Sequence, residues 1–114
     1  MTALDTAPAR DGLSLVFAAL ADPTRRRIVY ELSADGPLTA TQLAPRVGIS
    51  RQAAAKHLSA LVDAELATGE RIGRETRFEL DTRPFAEAES WMHAIGALWD
   101  RRLRALKEFL ERGA

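Results

Sequence analysis

Arg51, Gln52, Lys56 and Ser59 place a guanidinium, an amide, an ammonium and a hydroxyl within one short segment, Gly48 to Leu61, reading GISRQAAAKHLSAL. At about 100° per residue on a helix, Gln52, Lys56 and Ser59 share one face with Ala53 beside them. Arg51 lies at its edge, at the open N-terminal end. That set of groups suits hydrogen bonding to base edges: glutamine pairs bidentately with adenine, lysine or arginine with guanine, and a small apolar side chain touches a thymine methyl. The surroundings agree in charge. Gly36 to Val62 contains no Asp or Glu, but does contain Arg46, Arg51, Lys56 and His57. Phosphate repels carboxylates, and a helix N-terminus adds its own partial positive charge. An ordinary solvated helix exterior is the other reading of the same residues, and this helix alone leaves the two about equal.

Positioning those groups requires a framework. LSLVFAALA, Leu13 to Ala21, reads as a first helix. Asp22-Pro23 starts a second, with an N-cap acceptor followed by a proline whose missing N–H costs nothing there. Asp35-Gly36-Pro37 stops it near Ser33. Thr39 opens a third helix, with Gln42 three residues on as a capping box. Pro45 requires this helix to be short or bent, and Gly48 ends it. Ser50 caps a fourth helix reaching about Ala64. Two short helices separated by Val47-Gly48-Ile49 form a helix-turn-helix.

Beyond it, LATGERIGRETRFEL alternates around Gly73 and fits two short strands with a tight turn. Arg71, Arg74 and Arg77 flank the turn, diluted by Glu70 and Glu75. A basic hairpin directly after a helix-turn-helix is the plan of a winged helix, with Arg74 at the tip able to enter a minor groove. A basic hairpin in isolation is more often a solvated turn.

ADPTRRRIVYEL, LTATQLAPRVGISRQAAAKHLSALVDAEL and ERIGRETRFEL together resemble the ArsR-like (arsenic-repressor) family of bacterial winged-helix transcription factors, over about Phe17 to Leu80. The resemblance implies a mainly α fold with a small β-hairpin, five helices plus a two-stranded wing, and a homodimeric repressor. Such a repressor binds a palindromic operator in double-stranded DNA and often controls neighbouring genes. It implies that Ser50, Arg51, Gln52 and Lys56 lie on the recognition helix, whose outer face by periodicity also carries Ser59. It also implies that Thr39 and Thr41 start the supporting helix near phosphate, and that Arg74 is the wing-tip residue, with Arg77 a further candidate contact from the basic hairpin itself. Two residues depart from the family pattern. Glu65 stands where a glycine usually follows the recognition helix, which puts the usual left-handed C-cap in question. Ala55 stands where many members carry serine, removing one polar contact.

The bulk composition bounds the rest. At 114 residues, with 46% apolar and 28% charged residues, the chain is one domain's worth of ordinary soluble protein. Residues 1–10 are expected to be a flexible lead-in, and 11–114 the domain. Sixteen basic residues cancel sixteen acidic ones, so only local charge can point to a partner. No cysteine is present, which removes disulfides, thiolate metal sites and thiol redox sensing. No apolar run approaches a membrane span and no signal-peptide core opens the chain, so a cytoplasmic address is expected. No phosphate-binding glycine loop or catalytic triad spacing is present, and an enzyme is not expected.

The last helix, from about 84 to 112, would be about 44 Å long. Phe85, Ala88, Trp91, Met92, Ile95, Leu98, Trp99, Leu103, Leu106, Phe109 and Leu110 fall within about 140° of its wheel, interrupted by Arg102. Part of that stripe must cover the protein's own core. The remainder exceeds what a small domain can hide, so Trp91, Ile95, Leu98, Trp99, Leu103, Leu106 and Leu110, with Leu15 of the first helix, are expected to form a homodimer seam. Glu89, His93 and Asp100 on the same helix supply too little nitrogen for a good transition-metal site, and no cofactor is expected. His57 reads as a packing residue or a phosphate contact. Arg25, Arg26 and Arg27 read as partners of groups within the fold in preference to DNA contacts. The competing function is a protein-interaction module that docks a partner on the long helix. The sequence names no inducer.

Overall fold

The computed structural model describes residues 11–113; the expected lead-in at 1–10 lies outside them. Helix α1 spans Gly12–Leu20, α2 Pro23–Asp35, α3 Ala40–Val47, α4 Arg51–Asp63 and α5 Thr82–Glu111. Strands β1 (Leu38–Thr39), β2 (Ala67–Ile72) and β3 (Glu75–Leu80) form one antiparallel sheet in the order β1-β3-β2. This is a winged helix-turn-helix. The wing differs from the expected two strands, because Leu38 and Thr39 extend the hairpin by pairing with Phe78 and Arg77.

Each helix start has a local cause. Asp11 caps α1 by accepting from Leu13 N, and Asp22 caps α2 by accepting from Thr24 N and Arg25 N. Thr39 and Gln42 form the reciprocal capping box of α3. Ser50 accepts from Ala53 N at the start of α4, and Asp81 accepts from Arg83 N at the start of α5. Pro45 sits inside α3. It deprives the Thr41 carbonyl of its helical partner, which a helix of 8 residues tolerates at its exposed surface.

The stops are as specific. Gly48, at φ 79°, takes the left-handed conformation that turns α3 toward α4. Glu65 takes the same conformation at φ 64°. Its N–H donates to the Val62 carbonyl and that of Leu66 to the Leu61 carbonyl, each at 2.9 Å. This is the Schellman pattern of a glycine-ended helix. The helix therefore keeps the family's termination without the glycine, and the backbone carries the strain of a β-carbon in that region.

The core gathers the inward residues of every element. Val16, Ile28, Leu32, Leu43, Leu58, Leu61 and Leu66 are buried together with Leu38, Ala54 and Ala88. The inward arc expected for α4 is therefore observed at Ala54, Leu58 and Leu61, with Val62 half-buried beside them. Arg46 ties α3 to α2 through Asp35 at 2.7 Å and Glu31 at 3.2 Å. Arg27 adds a bond to the Arg46 carbonyl at 3.0 Å.

Candidate nucleic-acid interface

The hairpin turn places Gly73, at φ 63°, ahead of Arg74. A glycine at the first central position lets a two-residue loop follow the strand twist. Arg71 Nε donates to the Gly73 carbonyl at 3.1 Å and steadies the turn. Along β3, Thr76, Phe78 and Leu80 are half-buried, while Glu75, Arg77 and Glu79 alternate to the exposed face. Phe78 and Leu80 anchor the wing on the core.

That anchoring brings the wing beside α4. Arg51, Ala55 and Ser59 of α4, Thr41 of α3, and Arg74, Thr76 and Phe78 of the wing line one groove of about 480 Å³. Arg51 and Arg74 are its two cations, against Glu75 as its one acid. Gln52 and Lys56 are exposed on the same helix, outside the groove. Among the described residues, Arg51, Lys56 and Arg74 are in no ion pair, so their charge is open to an external anion.

Four of the expected contact residues therefore converge on the groove: Thr41, Arg51, Ser59 and Arg74. Others are placed differently. Thr39 lines the groove but is only 6% exposed, and its hydroxyl is committed to the α3 cap. The Ser50 hydroxyl is committed to the α4 cap. Arg77 lies on the exposed face of β3, paired in register with Glu70 on one side and Thr39 on the other. Ala55, the residue that replaces the usual serine, lies within the groove. Arg46, one of the three Lys and Arg cations of the acid-free window, is held by Asp35 first and Glu31 second, which raises its pKa; its charge is paired within the protein.

The triple arginine resolves residue by residue. Arg25 Nε donates to His57 Nδ1 at 3.4 Å, Arg26 to the Leu20 carbonyl, and Arg27 to the Arg46 carbonyl. His57 therefore links α4 to α2. Backbone hydrogen bonding from Arg25, together with that from Thr24 and the nearby charges of His57 and Arg25, outweighs desolvation and lowers the Asp22 pKa.

The apolar face of α5 is largely open. Trp91, Trp99, Leu103, Leu106, Phe109 and Leu110 are each about half exposed or more, and Ile95 is 37% exposed. Arg102, which interrupts the stripe, lies over the Trp99 ring at 5.2 Å from its centroid. From α1, Phe17 is exposed and meets Trp91 edge-on at 5.8 Å between centroids. Leu15 instead packs half-buried toward the core. Phe17 is thus the α1 residue continuous with the stripe. It is the arrival of α5 that selects it, through Trp91.

Comparison with known proteins fixes the family. Residues 20–70 match a helix-turn-helix domain model. The fold superposes on an ArsR-like transcriptional regulator from Rhodococcus sp. RHA1 with a TM-score of 0.69 and 40% identity, covering 96% of this chain and 99% of that one. The chain belongs to the ArsR-like family of winged-helix transcriptional regulators. Among the relatives of this ArsR-like chain, the transcriptional repressor SdpR of Bacillus subtilis (strain 168) is 35% identical over 77 residues, which are 68% of this chain and 84% of SdpR. The cadmium metal-sensor CMTR from Mycobacterium tuberculosis has a similar structure, with a TM-score of 0.54 and 36% identity over 68% of this chain and 79% of that one. This ArsR-like chain is a DNA-binding transcriptional regulator. It has no cysteine. On α5, Glu89 and His93 border a shallow cavity with Ser90 and Ala94, and Asp100 is not part of it. Among the described residues no helix is long and apolar enough to cross a membrane.

Proposed function

We propose that this regulator is a dimeric repressor that reads an inverted repeat. The observation that carries the reading is the convergence of the helix-turn-helix and the wing tip on one groove, with Arg51 and Arg74 unpaired at its edges among the described residues. In this reading α4 lies in the major groove. Gln52 and Lys56 meet base edges, Arg51, Thr41 and Ser59 approach the backbone, and Arg74 reaches the adjacent minor groove. Two copies pair through the open face of α5 with Phe17 of α1, and so present two recognition helices about one DNA turn, roughly 34 Å, apart. Neither half-site need bind tightly, because linkage makes the second contact intramolecular.

The exposed stripe on α5 also favours a second reading, in which a partner protein docks there and DNA is not the ligand. Salt dependence separates the two. Anisotropy titration on operator fragments selected from the host genome should show affinity falling by about 0.9 log units per neutralised phosphate per decade of salt. Footprinting should show a two-fold symmetric protected site. A weak salt slope and no preference among duplexes would sink the DNA reading and leave the partner-docking one.

A further inference from the structure

α4 is braced on both flanks. At about 100° per residue, Arg51, Ala55 and Ser59, which line the groove beside the wing, fall on one flank. His57 falls on the other, about 200° around the helix from Ala55. There its Nδ1 accepts from Arg25 Nε of α2 at 3.4 Å. Both residues are half-buried. His57 adjoins Leu58 and Arg25 stands one turn before Ile28, and both of those apolar neighbours are fully buried. Arg25 is itself fixed at the start of α2, where the Asp22 carboxylate accepts from its backbone N–H at 3.2 Å and from that of Thr24 at 2.8 Å. A chain of hydrogen bonds therefore runs from the α2 cap to the middle of α4. Accepting at Nδ1 leaves the proton of the neutral imidazole on Nε2.

The link resists one particular movement. Core packing through Ala54, Leu58 and Leu61 sets how deep α4 lies. A roll about its own axis would swing Gln52 and Lys56, which are exposed on its outer face. Recognition of base edges needs such groups within about 10–20° of the productive geometry. Building on the repressor reading, we propose that Arg25 and His57 are positioning residues for operator recognition: their hydrogen bond fixes the rotational setting of α4, and neither touches DNA. Binding to an arbitrary duplex needs only cations near phosphate, so it tolerates a roll of α4 that base readout does not.

The test exchanges His57 for each of the two amides in the full chain. Asparagine sets its carbonyl oxygen as many bonds from the backbone as Nδ1, and glutamine sets its amide nitrogen as far out as Nε2. Anisotropy titrations compare the selected operator fragment with an unrelated duplex. His57→Leu should weaken operator binding about fivefold to tenfold and leave binding to the unrelated duplex unchanged. His57→Asn should restore operator binding and His57→Gln should not. Rescue by glutamine in place of asparagine would mean that Nε2 touches DNA, and overturns the proposal, as does undiminished operator binding by His57→Leu. Arg25→Met should match His57→Leu, and the combined variant should be no weaker than either single one; additive losses overturn the link. Unfolding melts establish that each variant is folded, and Arg25→Met serves if His57→Leu is not. A further arm contains no DNA. Nitrogen–proton correlation spectra of the free protein should show the Nε2–H tautomer, with an Nδ1 resonance that moves in Arg25→Met. A wild type without operator preference sinks the repressor reading and the positioning role with it, whereas normal operator preference with an unmoved Nδ1 resonance overturns the Arg25–His57 link alone.

Discussion

Single residues in this regulator divide between those that fold the chain and those left free to act. Thr39, Ser50 and Arg46 look alike in sequence to Thr41, Ser59 and Arg51, yet the first three are committed to caps and an ion pair. The second three line the groove. Arg51→Ala should lower operator affinity with little sequence preference and reduce the salt slope by about 0.9 for each phosphate that is no longer neutralised. Gln52→Ala should instead cost about 1–3 kcal/mol on the preferred site and relax base choice at one position of each half-site, read by competition between operator variants. Glu65 presents a different kind of test. Its left-handed backbone is sterically unfavourable for any residue with a β-carbon, so Glu65→Gly should raise unfolding free energy by about 1 kcal/mol in urea titrations. An unchanged or lower stability would mean that the glutamate has compensating contacts.

The elements are defined by their ends more than by their propensities. Every one of the five described helices starts at an Asp, Thr or Ser acceptor, and for α2, α3 and α4 that acceptor made the start legible in the chain to within a residue or two, whereas α1 was legible from its apolar density alone. The α5 start has a pH signature. The Arg83 side chain first, then its backbone N–H, holds the Asp81 carboxyl at about 2 against an ordinary 3.8. A carboxyl lowered on folding stabilises the native state above its unfolded pKa and loses that contribution as pH falls through the folded one. The melting difference between wild type and Asp81→Asn should therefore be present at about pH 6 and shrink as the pH falls from about 4 toward 2. A difference independent of pH would show that the ion pair and charged cap contribute nothing. The element missed in the sequence was β1. Two residues, Leu38 and Thr39, carry no alternation that a strand pattern requires, and they become a strand only because β3 lies beside them.

At the scale of the whole molecule, the shape is governed by α5. The described chain has a radius of gyration of 19.2 Å and extends 69 Å along its longest axis, whereas a compact chain of this length would have a radius of about 13 Å. The excess is the second half of the 30-residue helix, projecting with its apolar face uncovered. If the proposed pairing through α5 holds, Leu103→Asp should leave a species of 12.5 kDa in sedimentation and weaken operator binding by about a hundredfold, because each half-site would then be bound independently. A monomeric variant with undiminished operator affinity would overturn the seam. The sequence by itself determined the order and type of the helices, the hairpin, the inward face of α4 and the family, because capping chemistry and hydrophobic periodicity act over three or four residues. Only the tertiary structure decided which cations remain free among the described residues, which α1 aromatic joins the stripe, and that Glu65 keeps a glycine's geometry. Those outcomes depend on groups far apart in the chain, and no local pattern encodes the distance between them.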